Sequence, residues 1–233
     1  MFDLVGAVEL TASAAIVVAA VAIGFGRDAA MRGRLAIALG AWFVVVVALA
    51  ATQALHYEHG IGSPGIGLAV GLPIVVLSVS LFRLLPLRQG VEQVSLSLLT
   101  AVHAVRILGM SFVLLHTQGR LPAPFAPVAG WGDIAVGVAA LPVAWLVARR
   151  VAGWRGVLLV WNAIGLADLA TAVTLGTLSA PGPLYFLTAE PATGLMSTLP
   201  WLIIPAFLVP ILATTHLVIF YRLFRKESAG QVD

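Results

Sequence analysis

Seven runs of apolar residues dominate this chain, and each is close to the length that crosses a bilayer as a helix. A spanning helix needs about 20 such residues, because its backbone polar groups meet no water in the hydrocarbon core and must pair with one another. The runs are Leu4–Phe25, Leu35–Leu55, Ile66–Leu85, Val94–Leu115, Trp131–Val147, Val157–Leu178 and Leu199–Tyr221. They predict an all-α fold, an integral membrane bundle of seven transmembrane helices in which residues 1–233 form a single domain.

The composition excludes a water-soluble fold. Hydrophobic residues make up 61% of the chain and charged residues 10%, whereas soluble domains contain about 45–50% and about 25%. The chain has no cysteine, which excludes disulfides, thiolate metal sites and cysteine nucleophiles. None of the predicted helices has the basic face that a nucleic-acid partner requires, so the expected partner is the lipid bilayer.

The basic residues are distributed in a way that predicts the orientation of the chain. Eleven of the thirteen lysine and arginine residues follow spans one, three, five and seven. Cytoplasmic loops carry an excess of these residues, so the N-terminus is predicted to lie outside and the C-terminus in the cytoplasm. An even number of spans would break this alternation. The first run has no basic segment before it, and we interpret it as an uncleaved span.

Arg106 and Asp168 are the charged residues that the sequence places near the middle of the membrane. At about 1.5 Å per residue, Arg106 is about 18 Å from the inner end of span four and Asp168 about 16 Å from the inner end of span six. A lone arginine at that depth is very unfavourable, and an ion pair is the least costly arrangement. The sequence therefore predicts that the two residues pair, either as a structural clasp or as the lining of a substrate or proton site.

Other polar residues are predicted to surround this pair. His103 precedes Arg106 by one turn on the same helical face, and it fits either a proton relay or a packed core histidine. Asn162 and His216 are each about 8 Å from the inner end of their spans, which predicts a second polar level where spans six and seven meet. Asp133 begins span five, where it either caps the helix or lies at the mouth of a path toward Arg106.

Histidines near the outer face raise the question of a metal or haem cofactor. His56 and His59 are three residues apart at the end of span two, a spacing that places them on one helical face. With His116 or a carboxylate they would complete a metal site of the histidine–carboxylate type, although histidines at a membrane interface are also common without a metal. Haem is disfavoured, because His103 and His116 lie on different helical faces and His216 is deeper than His103. No cofactor is predicted.

Two stripes of small residues predict close contacts between helices. They are Gly67 with Gly71 in span three, and Ala163 with Ala167 in span six. Small residues let membrane helices approach closely. These faces are also compatible with self-association of the protein.

A set of motifs runs from span four to span seven. It consists of Arg106-x-x-Gly109, Gly119-x-Leu121-Pro122, Gly130-x-Gly132-Asp133, Trp161-Asn162-x-x-Gly165-x-x-Asp168, and Pro205 with Pro210 and His216. In these motifs the second half of the chain resembles an uncharacterised family of bacterial multispanning inner-membrane proteins. The resemblance implies a location in the bacterial inner membrane and a single constellation of Arg106, Asp133, Asn162, Asp168 and His216. It implies no particular chemistry.

The function predicted from these observations is the binding or movement of a small solute, ion or proton through a polar pocket among spans four to seven. Two other functions remain open: a membrane-embedded metal, redox or lipid-modifying enzyme, and a structural or accessory subunit. The chain has no nucleophile elbow, phosphate-binding loop or zinc-protease motif. No catalytic residue is therefore assigned.

Overall fold

The protein is an all-α bundle. The computed structural model describes residues 2–188 and 190–229, which form helices and loops with no strand among them. The helices that are long and apolar enough to cross a membrane are α1 (Phe2–Phe25), α2 (Ala29–Ala51), α3 (Ser63–Arg83), α5 (Leu96–Thr117), α6 (Phe125–Arg149), α7 (Trp154–Leu178) and α8 (Ile204–Arg225). A short helix, α4 (Leu85–Gln93), connects α3 to α5. The predicted number of seven spans is confirmed, and it indicates a multipass membrane protein.

An odd number of spans places Phe2, at the start of α1, and Arg225, at the end of α8, on opposite faces of the bundle. We call the face with loops 52–62, 118–124 and 179–203 the N-terminal face, and the face with residues 26–28, 84–95 and 150–153 the C-terminal face. On the N-terminal face, Asp3 accepts hydrogen bonds from Arg120 at 2.8 Å and from the Trp201 indole at 3.0 Å. On the C-terminal face, Arg222 donates to the carbonyl groups of Val91 and Val94 at 2.8 and 2.9 Å. These contacts tie the first and last helices to the loops beside them.

Several helices begin or end away from their predicted positions, and two of these differences change the interpretation of a site residue. Helix α6 begins at Phe125 rather than Trp131. Pro127 is compatible with its first turn, where backbone N–H groups have no intrahelical partner in any case. Asp133 therefore lies in the third turn, and the prediction that it caps the helix is wrong.

Helix α2 ends at Ala51 rather than Leu55. The backbone of Gln53 has a φ of 53°, in the left-handed region, which a continuing helix does not allow. His56 and His59 consequently lie in the loop after the helix, so the prediction that they share a helical face is wrong.

Close contacts between helices occur at glycines other than the predicted ones. A Cβ atom added to Gly137 of α6 would lie 2.7 Å from the backbone nitrogen of Ile107 in α5. A Cβ atom added to Gly109 would lie 2.5 Å from the carbonyl oxygen of Gly130. By contrast, nothing lies within 4 Å of such an atom at Gly67 or Gly71. Gly109 and Gly137 therefore allow the backbones of α5 and α6 to lie close together.

Two of the spanning helices depart from α-helical geometry. The middle of α5, Val102–Leu108, is a 3₁₀ helix, and α8 opens with a π-helical turn, Ile204–Leu208. In a 3₁₀ helix, side chains three residues apart point the same way, so His103 and Arg106 project from the same side of α5. Irregular turns of these two kinds within helices often mark functional segments.

Candidate functional site

A layer of polar side chains crosses the bundle between two apolar clusters. Toward the N-terminal face the apolar cluster includes Leu115, Ala129, Leu169 and Ala213, and toward the C-terminal face it includes Leu99, Val136, Leu158 and Val218. Each of α5, α6, α7 and α8 passes from one cluster to the other, and each supplies polar residues at the crossing. The residues of this polar layer are His103 and Arg106, Asp133, Asn162 and Asp168, and Thr215 and His216.

The guanidinium group of Arg106 is the centre of the polar layer. Its side chain is 2% exposed. Its Nε donates to Asp133 Oδ1 at 2.6 Å, its Nη2 donates to Asp168 Oδ2, and its Nη1 donates to the Gly165 carbonyl oxygen at 3.0 Å. The predicted contact between Arg106 and Asp168 is present, and a second carboxylate, Asp133, contacts the same group directly.

Two carboxylates against one guanidinium give this group of three a net charge of −1 when all are ionised. Both aspartate side chains are 13% exposed, so water screens them little. Arg106 therefore has no positive charge free to attract an anion. The arrangement favours an additional positive charge, which either a cation or a proton would supply.

Glycines make room for the ion pairs. A Cβ atom at Gly132 would lie 1.7 Å from Asp168 Oδ1, and one at Gly165 would lie 2.6 Å from Cε1 of His216. A side chain at either position would collide with the polar layer. Gly132 and Gly165, which both belong to the sequence motifs, therefore have a specific steric role beside the polar layer.

His216 is held in one neutral tautomer by its neighbours. Its Nδ1 is 2.7 Å from the Asn162 side-chain oxygen, which can only accept, so Nδ1 carries the hydrogen. Its Nε2 then accepts from Arg106 Nη1 at 3.4 Å. Asn162 also donates to the His216 carbonyl oxygen at 3.1 Å. The predicted contact between Asn162 and His216 is present.

His103 lies against His216, with ring centroids 4.1 Å apart. The prediction that His216 is deeper than His103 is wrong, because α8 continues to Arg225 and α5 begins only at Leu96. The two predicted polar levels are therefore one layer. Rings in contact also leave no room for a haem between them.

A cavity on the N-terminal side of the polar layer reaches Asp133. Measured over the positions that the centre of a water molecule can occupy, its volume is about 80 Å³. Its lining includes Ser63, Ala180 and Thr193 near the loops, apolar residues of α3 and α7, and Asp133 at depth. A second cavity, of about 30 Å³ by the same measure, touches Arg106 and Asp133. On the other side of the layer, Val136, Leu158 and Val218 are buried in the second apolar cluster.

The predicted outer metal ligands are brought together only in part. Ligand atoms of His56, Glu58 and His59 lie within 4.8 Å of one another in the loop after α2. His116 is not in that group, and its Nδ1 is 3.0 Å from the Leu121 carbonyl oxygen, to which it donates. A site with two histidines and one carboxylate has the right donors. Metal binding there stays a prediction.

A family model matches the part of the chain that contains this whole site. A family model described as a domain of unknown function, DUF8737, matches residues 63–224. The match contains every residue of the polar layer, and it excludes α1, α2 and the His56 loop. It begins earlier than the resemblance seen in the sequence, at the first residue of α3. No curated protein and no solved structure matches the chain. The chain belongs to the DUF8737 family, whose matched region is the part of the bundle that forms the polar layer.

Proposed function

We propose that this protein binds and moves a proton or a small cation across the bacterial inner membrane, with its N-terminal face outside. The observation that carries the proposal is the pair of carboxylates, Asp133 and Asp168, on one buried arginine next to a cavity on the N-terminal side of the polar layer. The orientation follows from the basic residues, which concentrate on the loops of the C-terminal face.

The charge of the site determines the sign of the ligand. An uncompensated negative charge in the middle of a membrane is costly. One proton or one monovalent cation reduces the charge of the group from −1 to zero. Asp133 lines both cavities, so it is the carboxylate that a cation arriving from the N-terminal face would meet first.

The size of the cavity favours a small ligand over a lipid substrate. A water molecule needs about 10–15 Å³ on this measure, so a cavity of about 80 Å³ has room for a few water molecules or one small solute, and its polar lining consists of Ser63, Asp133, Thr177 and Thr193. Pockets for larger organic ligands have volumes of about 300–1,000 Å³. The geometry therefore supports ion or proton binding better than a lipid-modifying reaction.

The proposal is tested in liposomes that contain the purified protein and a pH-sensitive dye. With a potassium diffusion potential imposed, we expect a proton flux, or a sodium-dependent change in that flux, that Asp133→Asn abolishes. Asp28→Asn is the matched control, because Asp28 is exposed and caps α2 by accepting from the Met31 N–H at 2.7 Å, which asparagine can also do. If the wild-type protein carries no flux of protons, sodium or potassium, the transport proposal is wrong and the ion pairs of Arg106 are structural.

A further inference from the structure

We infer that the ligand of the site is a proton, and that Nδ1 of His103 is the atom that accepts it. This inference rests on the proposed function for its physiological role. Its chemistry rests on the hydrogen bonds and the charges around His103.

The hydroxyl group of Thr215 determines which nitrogen of His103 carries the hydrogen. Thr215 Oγ1 has one hydrogen, and it donates that hydrogen to the Leu212 carbonyl oxygen at 2.7 Å. The same oxygen lies 2.9 Å from His103 Nε2. Because the hydroxyl hydrogen is already engaged, Nε2 must be the donor in this second contact. The neutral ring therefore has its hydrogen on Nε2 and a free lone pair on Nδ1.

The lone pair on Nδ1 has no partner. His103 is completely buried, and among residues 2–188 and 190–229 nothing forms a hydrogen bond with its Nδ1. Buried acceptors are nearly always satisfied in folded proteins, and an unsatisfied one destabilises the fold. The free lone pair makes Nδ1 the ring atom of His103 at which a proton would form a new N–H bond.

The nearby histidine is a poorer acceptor. Both ring nitrogens of His216 are occupied, Nδ1 by Asn162 and Nε2 by Arg106. A proton on His216 would have to displace the Arg106 hydrogen bond. On His103, the Nδ1 lone pair forms the new N–H bond, Nε2 keeps its bond to Thr215, and the ring becomes an imidazolium without breaking a contact.

Counted together, the charges of the layer have room for a single added proton: Arg106 disfavours a positive charge on His103, and the two aspartates favour it. Arg106 follows it on α5, Asp133 and Asp168 face Arg106 from α6 and α7, and His216 contacts it from α8. From α1, Glu9 reaches α5 further toward the N-terminal face, where it accepts from Ser111 at 3.4 Å. Protonated His103 brings the charge of His103, Arg106, Asp133 and Asp168 from −1 to zero. A second proton on His216 would place two cationic rings in contact.

The experiment is nitrogen-15 NMR of histidine-labelled protein as the pH is lowered. The chain has five histidines, and His103→Gln identifies the His103 signals by their loss. We expect Nδ1 of His103 to have the shift of an unprotonated ring nitrogen at high pH and to become protonated at lower pH. We expect Thr215→Val to increase the fraction of the neutral His103 ring that carries its hydrogen on Nδ1. We also expect it to change the pH at which His103 is half protonated.

Thr214→Val is the matched control. Thr214 is also buried, and its hydroxyl donates to the Pro210 carbonyl oxygen at 2.8 Å without touching His103. This variant should titrate like the wild type. A hydrogen on Nδ1 at high pH in the wild type, or an Nδ1 that stays unprotonated wherever the protein is folded, would overturn the inference.

The two proposals fail separately. If the liposome experiment shows a cation flux while Nδ1 of His103 never gains a proton, the transport proposal stands and the His103 inference is wrong. If His103 titrates as expected but no flux is measured, the inference stands and the transport proposal is wrong.

Discussion

At the scale of single residues, Arg106 shows how a buried charge is made tolerable in a membrane protein. Four hydrogen-bonding contacts surround its guanidinium group: two carboxylates, one backbone carbonyl and one neutral histidine. The carboxylates together exceed its charge. Removing the arginine is therefore a different perturbation from removing either of its acidic partners.

The variant Arg106→Leu should be much less stable than Asp168→Asn. Loss of the arginine leaves two buried carboxylates without a counter-charge, and breaking a buried pair in this way costs about 3–5 kcal/mol. Asp168→Asn leaves Arg106 paired with Asp133 and removes the excess negative charge, so we expect a cost of about 1 kcal/mol. The free energy of unfolding in mixed micelles measures both. Equal costs would show that Asp133 does not neutralise Arg106.

The pairing of Arg106 with Asp168 could be predicted because both residues stand out in apolar runs at similar depth. The association of Asp133 with Arg106 was implied only by the family resemblance, because the expected start of span five put Asp133 at the membrane surface. Pro127 was the sequence signal that span five begins earlier, because proline is tolerated in the first turn of a helix. Thr215 carried no signal at all, since threonine is frequent in membrane helices and its role depends on one hydroxyl hydrogen.

At the scale of helices, the contact between α5 and α6 positions the polar layer. The 3₁₀ segment of α5 carries both His103 and Arg106, and Gly137 allows the backbone of α6 to approach it. The hydropathy of span four predicted a helix but not this change of helical geometry, because both kinds of helix have the same apolar composition. The stripe at Gly67 and Gly71 has the expected spacing but faces open space within the chain.

Gly137→Ala should separate α5 from α6. The added methyl group would lie 2.7 Å from the backbone nitrogen of Ile107, and backbone atoms cannot move aside as a flexible side chain can. We expect a loss of about 1–3 kcal/mol of stability, as for other overpacked positions. Gly71→Ala is the control, because its methyl group would meet nothing within 4 Å. Thermal unfolding in detergent compares the two, and equal melting temperatures would contradict the close contact.

At the scale of the whole molecule, the bundle is divided by the polar layer into two unlike halves. Both halves contain a packed apolar cluster, but the cavity of the N-terminal half reaches Asp133, whereas the cavity at Phe82, Arg83, Arg88 and Tyr221 in the other half touches no residue of the polar layer. The number of spans was predictable from composition and length. The asymmetry was not, because cavities depend on how side chains from α3, α6 and α7 meet.

The proposed orientation can be measured directly because the chain has no cysteine. Gln118→Cys places a thiol in a loop of the N-terminal face, and Val151→Cys places one in a loop of the C-terminal face. A membrane-impermeant maleimide added to intact cells should label the first variant and not the second. After the cells are broken open, both should react. Labelling of the second variant and not the first in intact cells would show that the orientation is opposite to the proposed one.

The packed apolar cluster on the C-terminal side has a consequence for how the protein would respond to voltage. A membrane potential falls mainly across the part of the protein that holds no conducting water. In the proposed transport path, that part is the apolar cluster between the polar layer and the C-terminal face. A proton that reaches the layer through the cavity would cross little of the electric field. The remaining step would carry most of the electrical work, about 2.3 kcal/mol per elementary charge for each 100 mV.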